Sequence, residues 1–145
     1  MAITTNAICN SFKKELLEGA HKFQAAPNGS TYKLAMFTNS ATLGKSTVGY
    51  ATTNEVTSPS GYTAGGKALV NVGTSLATNT AITDFADLSF QGVTLTARGA
   101  LIYNDTNGDK AVAVLDFGGD KTASAGTFTI QFPAFTTSAA ILRIA

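Results

Sequence analysis

Residues Leu95–Phe132 read LTARGALIYNDTNGDKAVAVLDFGGDKTASAGTFTIQF. Two apolar segments, Ala100–Asn104 and Ala111–Phe117, flank the polar turn Asp105–Asp109. Asn107-Gly108 sits at its centre, a dipeptide that readily supplies the positive φ angles of a tight hairpin turn. A third segment, Thr127–Phe132, alternates. Phe128, Ile130 and Phe132 face one way, and Thr127, Thr129 and Gln131 face the other. A period of two is that of a half-buried strand. The stretch therefore predicts a β-meander with an apolar face and no catalytic grouping.

Working outward, Tyr32–Thr38, Ala68–Val72, Ala81–Phe85, Leu88–Gln91, Val93–Ala97 and Ile141–Ile144 read as further short strands. About eight strands with closely spaced turns predict an all-β, antiparallel β-sandwich, jelly-roll or Ig-like, rather than a barrel. Helical period appears in one place, Asn6–Glu18. There Ile8, Phe12 and Leu16 recur on one face with Leu17 beside them. Asn6 or Asn10 can cap this helix, and Gly19 can end it. The expected layout is an N-terminal arm and helix over residues 1–30, followed by a β-sandwich domain over 31–145. The connection Ser40–Gly66 is long, polar and interrupted by Pro59, which makes it a candidate interaction loop. It carries Tyr50, Tyr62 and a single acid, Glu55.

Composition narrows the function classes. The chain has 145 residues, enough for one domain with a real core. It is 44% hydrophobic but only 13% charged, about half the usual charged fraction of roughly 25%. Thr, Ser, Asn, Ala and Gly stand where a solvated monomer would place charge, as in Thr74–Thr80 and Thr136–Ala140. Such a surface is cheap to desolvate and suits permanent subunit contacts. Net charge is +1 and the longest basic run is Lys13-Lys14, so nucleic acid is not an expected partner. One cysteine, Cys9, allows no intrachain disulfide. The start lacks the features of a signal peptide, and no apolar run approaches the roughly 20 residues of a membrane span. The expectation is synthesis in the cytosol and no membrane partner.

The constellations tested for chemistry fall short. Gly61–Ala68 nearly matches a phosphate-binding GxxxxGK[ST] loop, but Ala68 replaces the hydroxyl and the next residues read as strand. Asp105-Thr-Asn107-Gly108-Asp109 resembles the start of a calcium loop but sits in a hairpin. Cys9 and His21, the latter expected to be exposed, are too few for a nucleophilic triad or a metal site. Asp84 and Asp87 read as turn-capping acids. Arg98, one of two arginines, interrupts a neutral strand and is expected to pair with Asp116 on the facing strand. No catalytic residue, cofactor or metal is expected.

With the segments placed, a resemblance appears. YKLAMFT (Tyr32–Thr38), TLGKSTVGYATTNEV (Thr42–Val56), SGYTAGGKAL (Ser60–Leu69), LTARGALIYND (Leu95–Asp105), AVAVLDFGGDK (Ala111–Lys121) and FTIQFP (Phe128–Pro133) together resemble small tailed-bacteriophage virion structural proteins. The resemblance implies a non-enzymatic bacteriophage virion component, with capsid decoration (cement) the favoured role. Its partners would be the major capsid protein and further copies of itself, a homotrimer at shell three-folds. A tail or vertex structural or receptor-binding protein is the alternative. The expected contact residues are Ile8, Phe12, Leu16, Tyr50 and Tyr62.

Overall fold

The structure, a computed structural model, describes residues 3–57 and 61–145. Pro59, expected inside the long connection, lies outside the described residues. Strands take up 47% of the described residues and helix 6%. The elements run β1 (Ala7–Ile8), α1 (Asn10–Leu17), β2 (Tyr32–Phe37), β3 (Lys67–Ala68), β4 (Asn71–Ala77), β5 (Thr80–Phe85), β6 (Leu88–Asn104), β7 (Lys110–Ile130) and β8 (Leu142–Ile144). They form two antiparallel sheets, ordered β1-β7-β6-β2-β3 and β4-β5-β8. The result is the all-β, sandwich-like class that the strand pattern predicts. Aromatic rings join the layers: Tyr32 of the larger sheet lies 5.6 Å from Phe85 of the smaller one, and Phe23 stacks on Tyr32 at 4.6 Å.

The expected meander is instead one long hairpin. Ala111–Phe117 and Thr127–Ile130 belong to the same strand, β7, which pairs with β6 along its length. The run between them opens with Gly118-Gly119-Asp120, which has turn composition. Gly118 does adopt φ +80. Pairing nevertheless continues past it, with Ala97 opposite Lys121 and Thr96 opposite Thr122. The hydroxyls of that last pair bond at 2.9 Å. Register shifts between Phe90 and Val93, Val93 and Leu95, and Ala97 and Gly99 add curvature, as bulges do.

The hairpin loop also differs from a two-residue turn. Asn104 pairs with Lys110, leaving a five-residue loop. Positive φ falls on Gly108 (+68) and Asp109 (+56), not on Asn107. Asn104 Oδ1 accepts the backbone N–H groups of Thr106 and Asn107, which closes the first part of the loop as an Asx turn.

The helix is shorter than its sequence period. Ala7 and Ile8 pair with Val114 and Ala113, and the Cys9 N–H bonds Val112 O. These ladder bonds compete with a first helical turn and win. Cys9 occupies the N-cap without a side-chain cap, and Asn6 Oδ1 accepts the Asp116 N–H instead of capping the helix. Gly19, at φ +75, follows the last turn as expected. From residue 3 onward the N-terminal arm is built into the body: Ile3, Cys9, Phe12 and Phe23 belong to the same hydrophobic core as the sheets.

Candidate functional site

Three polar clusters hold the described chemistry. The first ties down the long connection. Glu55 bridges to Phe37 at the end of β2, and the residue is 8% exposed. Tyr50 donates to Glu55 Oε1 at 2.5 Å and Tyr62 to Oε2 at 2.6 Å, while the Gly65 N–H reaches Oε2 at 2.8 Å. The Tyr62 oxygen also accepts the Met36 N–H, at 2.9 Å. Tyr103 of β6 stacks on Tyr50 at 4.6 Å and donates to Gly65 O at 2.5 Å. Burial, reinforced by Glu55, pushes the Tyr50 and Tyr62 hydroxyls well above the ordinary tyrosine range. Every hydroxyl proton in this knot is therefore held as a hydrogen-bond donor.

This knot changes how the expected contact residues are read. Tyr62 and Phe12 are buried among this chain's own core residues. Tyr50 packs on Tyr103 rather than standing free. Ile8 and Leu16 are half-buried against the core, and Leu17 beside them is 91% exposed. The aromatics and acid of the 40–66 connection thus serve as internal anchors. Glu55 was legible only as a lone acid, because its three donors come from positions 50, 62 and 65 and converge in space alone.

The second cluster centres on His21, which is buried rather than exposed. Asn104 Oδ1 is committed to two backbone donors, so its Nδ2 must donate, to Ala20 O and to His21 Nδ1. That assigns His21 the tautomer with hydrogen on Nε2, which donates to Glu15 Oε1 at 3.1 Å. Cys9 does not join His21. Its sulfur faces Gly44 O at 3.9 Å, and burial, with Glu15 as a lesser cause, pushes the thiol up to about 11. At neutral pH it stays a thiol, the poor nucleophile of the pair of forms.

The third cluster is the expected Arg98–Asp116 pair. Arg98 Nη1 meets Asp116 Oδ1 at 2.5 Å, and the same oxygen accepts the Gly118 N–H. It braces the hairpin at the glycine bend. Asp84 and Asp87 accept the N–H groups of Phe85 and Phe132. The loop resembling a phosphate cradle is filled by protein. A Cβ on Gly66 would lie 1.8 Å from Leu34 O, so only glycine lets this segment close on β2. Lys67 points to Ser89 O at 2.6 Å. Among the described residues no group of three or more His, Cys, Asp or Glu converges as a metal site, and no helix is long and apolar enough to cross a membrane.

The remaining distinctive surface is neutral and partly apolar. Leu17, Val48, Val70, Leu76 and Ile144 are exposed, three of them at the edges of the small sheet or beside them. Two open grooves flank β8, of about 780 and 940 Å³. Compared with known proteins, the chain matches no family model, no curated protein in sequence and no solved structure in fold.

Proposed function

We propose that this chain is a non-enzymatic bacteriophage virion structural protein, a decoration or cement subunit that binds the major capsid protein and stabilises the assembled shell. The carrying observation is the surface: 13% charged residues overall, with hydroxyl-rich strands and exposed Leu17, Leu76 and Ile144 where a free monomer would place charge. Such surfaces lose little on desolvation, and stable contacts bury about 1,200–2,000 Å² in total. The segments resembling small phage virion proteins point the same way. Closed symmetry, with a trimer at shell three-folds, would bury one neutral patch several times over.

The receptor-binding alternative calls for exposed aromatics and acids on the 40–66 connection. Tyr62 and Glu55 are buried there and Tyr50 is bonded to Glu55, which favours decoration. Mass spectrometry of purified virions, with copies per particle counted, tests the reading. Hundreds of copies are expected. A few to dozens would move the protein to the tail or vertex, and absence from the particle would remove the reading.

A further inference from the structure

The small sheet ends in β8, which pairs with β5 on one side and has no strand on the other among the described residues. The two grooves run along it and share Ile8, Ile141 and Arg143. One is lined by Phe117 and Phe128 of the curling hairpin and by Phe132 just beyond it, and the other is bounded by Leu17 and Ile144, which are 91% and 60% exposed. An open strand edge between two apolar grooves is the geometry into which an extended chain adds as a further strand.

The charges decide what kind of chain. Lys13, Lys121 and Arg143 line the grooves, and none has an ion-pair partner among the described residues. Among the described residues the Arg143 guanidinium bonds the carbonyls of Thr137 and Ser138. The one acidic side chain in the lining, Asp116, is taken by Arg98. We propose that the β8 seam docks an extended apolar segment carrying carboxylates, donated by a different protein. A second copy does not fit: its other edge strands, β1 (AI), β3 (KA) and β4 (NVGTSLA), carry no acid. In the decoration reading, on which the donor's identity rests, that segment is an arm of a shell subunit.

A synthetic peptide alternating valine and aspartate, with a valine–lysine counterpart, tests the seam on the full chain by amide NMR. The aspartate peptide is expected to shift the resonances of Leu142, Arg143 and Ile144 and to bind more weakly as salt rises. Arg143→Glu, and separately Lys121→Glu, should weaken it roughly tenfold and favour the lysine peptide. Equal binding of the two peptides, shifts confined to other residues, or no binding overturns the proposal. Purified shells separate the two claims. If Arg143→Glu decorates shells as well as the parent, the seam falls and decoration stands. If the parent takes the aspartate peptide at β8 but not shells, the seam stands and decoration falls.

Discussion

The two halves of the β6–β7 hairpin share one ladder and obey different rules. Near the loop, Ala100–Asn104 and Ala111–Val114 are buried residue after residue, because β2 flanks β6, β1 flanks β7 and packing covers both faces. Away from the loop, burial alternates. Val93, Leu95 and Ala97 face the core, and Thr94 and Thr96 face outward. Residues covered on both faces read as a continuous apolar run, and residues covered on one face read with period two. The closed half is also strapped from outside by the Glu55 knot through Tyr103. Burial is thus concentrated at one end of the hairpin, while the other end presents a hydroxyl-rich face.

The sharpest way to break this contrast is Glu55→Ala. It leaves two tyrosine hydroxyls and the Gly65 N–H without their acceptor. The expected loss is about 3–5 kcal/mol by denaturant unfolding. A loss under about 1 kcal/mol would mean the strap is ornamental and the halves differ only in packing.

Alkaline titration probes the same region without mutation. All four tyrosines are pushed above their ordinary range, with burial the leading cause for each. The folded chain keeps protons that the unfolded chain releases above about pH 10. The stability they contribute is complete below that pH and is lost as pH rises further. Tyrosinate absorbance should therefore appear together with loss of the strand circular-dichroism signal. Gradual ionisation in a chain that stays folded would contradict the closed half as drawn.

Gly108→Val acts at the loop that joins the halves. A β-branched residue at φ +68 should cost roughly 1–2 kcal/mol. A melting temperature equal to the parent's would show that the loop relaxes to another conformation. The smallest effect is expected in the open half. Thr96→Val removes the exposed hydroxyl bond to Thr122 but keeps a β-branched side chain. It should change stability by less than about 0.5 kcal/mol. A larger cost would make the hydroxyl face structural rather than a surface left for contact.

Class and strand positions were legible where burial imposes a pattern. Tyr32–Phe37, Thr80–Phe85 and the apolar parts of β6 and β7 carry that pattern in their own residues. Gly118–Gly126 does not. It is a mostly exposed ribbon whose strand state comes from pairing with β6, so its turn-like composition misled. The N-terminal helix misled in the opposite way. Ile8 fits the helical face, but a ladder partner more than a hundred residues away claims it.

The sequence by itself determined the all-β class, the low-charge surface, the polar hairpin loop and the Arg98–Asp116 pair. Each rests on composition, local period or neighbouring strands. Tertiary structure alone decided that Tyr50, Tyr62 and Tyr103 gather on Glu55 and its loop, that His21 is buried against Asn104, and that β8 is left open between two apolar grooves. The His21–Asn104 bond alone joins residues 83 positions apart. Convergence at that separation is set by how the sheets stack, which no local period records.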